Sequence, residues 1–143
     1  MNPQELYEKY NVFDKEFGLK VNIEAPGKVV YEMTIAPKHL SSPGVGHGAS
    51  LAAMMDAILG TTALTKVYDK GSLVSTVEFK INYFKPIFLD DHLVATGEIE
   101  FEGKSLIVTS GKIVKKDTGE LVAKGLGTFN IYPMEKRGLK PIF

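Results

Sequence analysis

The chain has 143 residues, with 17 basic side chains balanced by 17 acidic ones, and it contains no cysteine. This length predicts one domain, and a hydrophobic content of 44% argues against disorder. Balanced charge argues against nucleic acid or an anionic membrane as a partner, and the lack of cysteine excludes disulfides, zinc–thiolate sites and cysteine nucleophiles.

The first quarter of the chain is predicted to form a short helix followed by two strands. Asn2 is expected to cap the helix and Pro3 to begin it, and apolar residues recur at helical spacing as far as Tyr10. The strands are predicted over Phe17–Glu24 and Val29–Ala36, on either side of a turn. The polar start has no signal-peptide core, so a cytoplasmic location is expected.

A loop of turn-forming residues over 37–46 leads into a long predicted helix. Residues His47 to Lys66 are rich in alanine, leucine and methionine and contain no proline, which favours about five helical turns. Between these ends Asp56 is the only charged side chain, and a helix that is apolar nearly all round is expected to be buried. The stretch is too short and too polar to predict a membrane span.

Beyond residue 71 the hydrophobic period changes to two, which predicts four more strands. These strands are Val77–Tyr83, Leu93–Phe101, Leu106–Val114 and Leu121–Tyr132. Hairpins are predicted at Glu102–Lys104 and Lys116–Gly119, and consecutive hairpins make the sheet antiparallel. Gly125 and Gly127 leave room for a packed helix. The predicted fold class is therefore α+β, with a curved antiparallel sheet wrapped around one long buried helix.

Asp56 is the residue in this pattern that most needs an explanation. A carboxylate among apolar neighbours is costly to bury, so it is expected to be paired, raised in pKa or facing a cleft. The alternative is an interior aspartate bonded to a backbone amide or a lysine. Ahead of it, the glycine-rich segment Gly44–Gly48 places free N–H groups at a helix start, where an oxyanion or a phosphate is stabilised.

The loop and helix together, PKHLSSPGVGHGASLAAMMDA, resemble the signature of hotdog-fold acyl-CoA thioesterases. The resemblance is to the phenylacetyl-CoA-thioesterase-like branch of the 4-hydroxybenzoyl-CoA thioesterase superfamily. Its signature is a His-Gly pair with an aspartate nine positions after the histidine, a spacing that His47, Gly48 and Asp56 keep.

The resemblance extends over about residues 13–132 and includes the downstream strands. It implies a single hotdog domain over 1–143, with a core at 13–132 and a tail at 133–143. It also implies that two chains pair their sheets edge to edge, giving a homodimer or a dimer of dimers (a homotetramer), in which each active site draws groups from both chains.

The resemblance also assigns catalytic roles in the hydrolysis of acyl-CoA to free acid and CoA. It implies that Asp56 is the nucleophile or general base, and that the Gly48 N–H holds the developing oxyanion. Ser41 stands where family members often carry an asparagine that orients water or the carbonyl. His47 is expected to shape the loop by hydrogen bonding.

Thr76 occupies the position of a serine or threonine that commonly assists the carboxylate in this family. Simple alternation along the strand, however, places Thr76 on the face opposite Val77, Phe79 and Ile81. The implied role therefore requires a β-bulge or a position at an interface.

The resemblance implies that the pantetheine arm of CoA passes a strand end and a hairpin. The residues implied are Tyr83, Lys85 and Pro86 at the strand end and Gly103, Lys104 and Ser105 at the hairpin. The two lysines suit CoA phosphates, or else are ordinary surface lysines. CoA is part of the substrate, so no separate cofactor is expected, and the three histidines show no metal-ligand spacing.

Two other functions remain open at this stage. A hotdog dehydratase or hydratase would pair a loop histidine, His39 or His47, with Asp56, although the hydratase motif Asp-x-Asn-Pro-x-His is missing. A non-catalytic acyl-CoA-binding module is favoured by Ser41 in place of the usual asparagine.

Overall fold

The computed structural model describes residues 3–138, which form eight strands, two short α-helices and one long α-helix. The helices are α1 (Pro3–Tyr10), α2 (Val12–Phe17) and α3 (Gly48–Val67). The strands are β1 (Lys20–Ala25), β2 (Lys28–Thr34), β3 (Leu40–Ser42), β4 (Val45–Gly46), β5 (Ser72–Tyr83), β6 (His92–Glu102), β7 (Leu106–Lys115) and β8 (Leu121–Pro133). Short 3-10 turns occupy Pro37–His39, Tyr68–Lys70 and Met134–Arg137. The predicted cap Asn2 and residues 139–143 of the predicted tail lie outside the described residues.

Six of the strands form one antiparallel sheet in the order β1-β2-β6-β7-β8-β5. Helix α3 packs against β2, β5, β6, β7 and β8, and the buried core lies between the helix and these strands. Both predicted hairpins connect neighbouring strands, β6 to β7 and β7 to β8. The α+β fold class, a curved antiparallel sheet around one long helix, is therefore confirmed.

Close approach between α3 and the sheet depends on small residues in β8. A Cβ atom added at Gly125 would lie 2.7 Å from the Met55 sulfur and 3.0 Å from the Lys80 carbonyl oxygen. Such contacts are too short for real Cβ atoms, so the helix could not lie at this distance above a larger residue. The prediction that Gly125 leaves room for a packed helix is confirmed.

The prediction of a strand over Phe17–Glu24 is wrong at its start, because residues 12–17 form the second helix. The Asn11 side chain accepts a hydrogen bond from the Asp14 N–H at the start of α2, and Gly18 ends the helix in the left-handed conformation at φ 88°. The strand therefore begins only at Lys20. The predicted loop over 37–46 also contains more structure than expected, since it holds a 3-10 turn and the small β3–β4 hairpin.

The burial expected for α3 is incomplete on one side. One side of the helix packs on the sheet, whereas Asp56 is exposed and Ala53, Ala57 and Gly60 beside it are only half-buried. The sheet order explains this, because β1 and β5 are its two edges and leave one side of α3 between them without strands. Small residues on this side create a recess next to Asp56.

Candidate active site

Asp56 lies on the open side of α3 and is the centre of the candidate site. Its Oδ1 atom accepts a hydrogen bond of 3.2 Å from the Thr76 hydroxyl, and among residues 3–138 no lysine, arginine or histidine forms an ion pair with it. It lines a cavity of about 400 Å³ together with β5, β8 and the N-terminal helices. The aspartate therefore faces a cleft, as one of the sequence alternatives expected, and is not an interior residue.

A β-bulge in β5 brings Thr76 to the helix. Thr76 pairs with Phe129 of β8 and Glu78 pairs with Thr128, so Val77 is left over between them. The extra residue reverses the alternation, which puts Thr76 on the same side as Phe79 and leaves Val77 58% exposed. The prediction that Val77 shares a face with Phe79 and Ile81 is wrong, and the bulge that the role of Thr76 required is present.

The start of α3 forms a second group of candidate residues. His47 is the N-cap, and its Nδ1 atom accepts a hydrogen bond of 2.9 Å from the Ala49 N–H, so the ring shapes the helix start. Within the described part of the chain the Gly48 N–H has no acceptor. This donor sits at the positive end of a 20-residue helix, where negative charge is stabilised. The ring of Tyr83 lies beside it.

Within one chain, Gly48 and Asp56 lie too far apart to act on the same carbonyl group. They are eight residues apart in one helix, which separates them by about 12 Å along its axis. An attacking oxygen must come within about 3.5 Å of the carbonyl carbon, and an amide donor must come within about 3.1 Å of the carbonyl oxygen. The two groups must therefore lie within about 7 Å of each other. The cavity of Asp56 accordingly does not include Gly48 in its lining.

The loop residues Ser41 and His39 also lie outside the cavity of Asp56. Ser41 is exposed in β3. His39 is 1% exposed; its Nδ1 accepts from the Ala36 N–H at 2.9 Å, and its Nε2 lies 2.6 Å from the Phe17 carbonyl oxygen. Its ring therefore joins the loop to the end of α2 and is engaged in structural bonds.

The two predicted CoA-contact segments lie at opposite ends of the sheet in one chain. Tyr83 pairs with Ala123 of β8, whereas Leu106, next to the hairpin Gly103–Ser105, pairs with Asn130. Seven residues of a strand span about 23 Å. Lys85, Pro86 and Lys104 are exposed at these two ends. A single chain therefore does not bring the two segments together.

Residues 3–138 contain no cluster of three or more histidine, aspartate or glutamate side chains suited to a metal ion. No helix in this part of the chain has the length and apolar character needed to cross a membrane.

Sequence reasoning missed a buried polar network that borders the same cavity. The Tyr31 hydroxyl donates to Asp14 Oδ2 at 2.5 Å, and the Tyr7 hydroxyl reaches the same oxygen at 3.3 Å. Thr61 of α3 donates to the Tyr7 oxygen at 3.0 Å, and Asn11 also donates to it. These bonds fasten α1 and α2 to β2 and α3. Because its members lie up to 54 residues apart, no local pattern indicated the network.

Burial changes the acidity of this network. Desolvation raises the pKa of the Asp14 carboxyl, hydrogen bonds from Tyr31 and Tyr7 oppose the rise, and the negative charge of Asp56 adds to it. Burial, followed by the charge of Asp14, also raises the pKa of Tyr7. Asp14 and Asp56 both line the same cavity.

Comparisons with known proteins support the family and the fold. The profile of the thioesterase superfamily matches residues 43–122. Acyl-coenzyme A thioesterase 13 of Homo sapiens is 34% identical over 104 residues, which cover 73% of each chain. The PaaI protein of the Escherichia coli phenylacetic acid degradation operon shares the fold, with a TM-score of 0.78, 22% identity and coverage of 90% of this chain and 89% of that one.

A hypothetical thioesterase protein of Streptococcus pneumoniae, solved with coenzyme A, is also similar. Its TM-score is 0.72 at 26% identity, with coverage of 80% of this chain and 89% of that one. The long central helix and the sheet around it are thus the architecture of the hotdog thioesterases, as the sequence resemblance implied.

The raised pKa of Asp14 predicts how replacing this residue changes stability with pH. Because the folded state holds the proton more tightly than the unfolded chain, the contribution of Asp14 to stability is complete below the ordinary pKa of 3.8 and is lost as pH rises through the raised value. We therefore expect the difference in unfolding free energy, native chain minus Asp14→Asn, to decrease as pH rises from 3.5 to 8. Urea titrations at fixed protein concentration measure this difference. A difference that is flat or that grows with pH would contradict the assignment.

Proposed function

The chain belongs to the thioesterase superfamily, and from that premise we propose how it hydrolyses acyl-CoA thioesters, with Asp56 acting on the carbonyl carbon. The observation that carries the proposal is the exposed Asp56 carboxylate, which lines a cavity without a cationic partner among the described residues and accepts one hydrogen bond from Thr76. A carboxylate that is exposed and has no cationic partner can act as a base or as a nucleophile. It is also accessible to a substrate in the cavity.

Two routes use this carboxylate, and both release CoA as the thiol. In the first, an Asp56 oxygen attacks the thioester carbon, the C–S bond breaks, and water hydrolyses the resulting anhydride. In the second, Asp56 takes a proton from a water molecule that attacks the same carbon directly. In either route the Thr76 hydroxyl holds one carboxylate oxygen and thereby orients the other toward the substrate.

The oxyanion that forms in both routes requires a donor, and we assign this role to the Gly48 N–H of a second copy of the chain. The separation of about 12 Å along α3 supports this assignment, because it prevents Gly48 and Asp56 of one chain from meeting at one carbonyl. In a two-fold symmetric dimer the same two groups meet twice, once in each of two identical sites.

One edge of β5 has no strand neighbour among residues 3–138, and this edge supports such a homodimer. It is a 12-residue strand at the end of the sheet, with an exposed Val77 near its middle. A long unpaired edge readily pairs with another strand. Antiparallel pairing about the middle of β5 would bring Tyr83–Pro86 of one chain toward the Gly103–Ser105 end of the other. Both predicted CoA-contact segments, with Lys85 and Lys104, would then border the same site. Ser41 would accompany Gly48.

The hydratase alternative has less support than hydrolysis. That chemistry needs a histidine base beside the carboxylate, but His39 is buried and engaged with Ala36 and Phe17. His47 caps α3 through its Nδ1 atom. Neither ring lines the cavity of Asp56 in this chain.

Replacing Asp56 by asparagine should lower kcat for CoA release by about 10²- to 10⁴-fold, because the base or nucleophile is lost while shape is kept. The measurement is thiol release from a panel of short, long and aromatic acyl-CoAs. Asp117→Asn, in the exposed turn between β7 and β8, is the matched control and should keep full activity. Unchanged turnover by Asp56→Asn would reject the mechanism. Water addition to an enoyl thioester without thiol release would favour a hydratase.

Gly48→Pro tests the oxyanion donor with little change to the helix. Proline suits the first helical position and removes only the N–H, and the extended conformation of His47 (ψ 137°) is the one that a following proline requires. We expect kcat to fall by about 10²- to 10³-fold. Gly48→Ala keeps the N–H and places its Cβ 3.6 Å from the Tyr83 ring, an ordinary contact, so most activity should remain. Equal losses in both variants would point to sterics and would refute the donor role.

A further inference from the structure

The cavity of Asp56 adjoins a larger groove beneath α1 and α2. This groove has a volume of about 1280 Å³, compared with about 400 Å³ for the cavity that holds the aspartate. The two share six lining residues, which form the junction between them: Tyr7, Asn11, Phe13, Thr61, Leu64 and Leu73. A substrate chain that extends from Asp56 along α3 toward its C-terminal end would pass between these residues to enter the groove.

The charges around the groove suit the acyl part of the substrate and not its CoA part. Glu5, Glu24 and Asp69 are the charged residues among those described in its lining, and no lysine or arginine accompanies them. Three carboxylates repel the phosphates of CoA. Phe13 and Leu64 at the junction instead offer apolar surface to a hydrocarbon chain.

The length of the groove sets the size of the chain it accepts. Tyr68, which lines the far end, lies 12 residues after Asp56, about 18 Å further along the helix direction. An extended chain advances about 1.2 Å per bond, since three backbone bonds span at most about 3.6 Å. About 15 such bonds cover this distance, so a straight acyl chain of about 16 carbons reaches from the thioester carbon to this end.

We propose that α1 and α2 form one side of the groove, the acyl-selecting wall, which contacts a long unbranched acyl chain whose thioester is held at Asp56. This contact determines the chain-length preference of the enzyme. This inference rests on the proposed function, because it takes the thioester to be held at Asp56. Phe13 and Leu64 are the specificity-determining residues. Each buried methylene group strengthens binding roughly fourfold, so the wall favours long chains over short ones.

The buried network holds this wall in place. The fully buried Tyr31 hydroxyl contacts Asp14 of α2, Tyr7 of α1 and Thr61 of α3, yet Tyr31 itself lines neither cavity. The Gln4 side chain also accepts a hydrogen bond of 3.0 Å from the Ile23 N–H, which fastens α1 to β1. Tyr31 is accordingly a positioning residue, whose hydroxyl affects chain selection only through the helices it anchors.

The test compares kcat/KM for hexanoyl-CoA and myristoyl-CoA in the full-length chain. Leu64→Trp blocks the junction and should lower the myristoyl-to-hexanoyl ratio by about tenfold or more. Phe13→Ala removes apolar surface from the wall. The Phe13 side chain is 59% exposed, so its loss does not endanger folding. The variant should have a several-fold higher KM for myristoyl-CoA with little change in kcat. Leu126→Trp, on the outer face of β8 and 49% exposed, is the control and should leave the ratio unchanged.

Tyr31→Phe tests whether the Tyr31 hydroxyl positions the helices for chain selection or only stabilises the fold. It should lower the myristoyl-to-hexanoyl ratio in the same direction as Phe13→Ala, while kcat for hexanoyl-CoA stays within about twofold. A uniform loss on both substrates would instead show that the hydroxyl serves folding alone, and would overturn its assignment as a positioning residue.

The outcomes separate this inference from the proposed function. If the native chain hydrolyses hexanoyl-CoA but its ratio does not respond to Leu64→Trp or Phe13→Ala, the groove holds something else, such as a second copy of the chain. The acyl-selecting wall is then refuted and hydrolysis at Asp56 stands. If the native chain releases CoA from neither substrate nor from any aromatic acyl-CoA, the proposed function itself fails.

Discussion

The rise of one α-helix is the constraint from which the rest of the account follows. Gly48 and Asp56 are on the same rigid rod, about 12 Å apart along its axis, and side-chain rotation cannot close that distance. The attacking oxygen must reach the thioester carbon while the oxyanion donor reaches the carbonyl oxygen of the same group. If both residues are catalytic, the site must therefore combine Asp56 of one chain with Gly48 of another. The same reasoning applies to the two CoA-contact segments, which lie about 23 Å apart in one chain.

The fold supports such a shared site by leaving one side of its central helix open. Five strands of the sheet pack against α3, but the sheet has two edges, and Asp56 lies between them. One edge strand, β5, supplies Thr76 through its bulge. Beyond the other edge, α1 and α2 cover part of the opening and are fastened by Asp14 and Tyr31. The two opposite borders of one opening thus supply Thr76 on one side and the proposed acyl-selecting wall on the other.

Much of this fold could be predicted from the sequence, because its signals are local. Period-two alternation located four strands, and the uncharged run around Asp56 located the helix. The glycines of β8 predicted close helix packing, which Gly125 confirms. The bulge at Val77 could not be predicted, because it is visible only as a mismatch in pairing with β8. Helix α2 was missed because Asn11 and Gly18, its two caps, enclose only six residues. The Asp14–Tyr31 network joins segments far apart in sequence, and only the folded chain brings them together.

The most direct measurement of the shared site is a complementation assay with two inactive chains. Asp56→Asn and Gly48→Pro chains are unfolded together, refolded as an equal mixture, and assayed for thiol release. Random pairing makes half of the dimers mixed, and each mixed dimer contains one site with both native groups, so about a quarter of the native activity should return. If the mixture is no more active than the two parent variants measured separately, Gly48 and Asp56 do not meet across two chains, and the account is wrong.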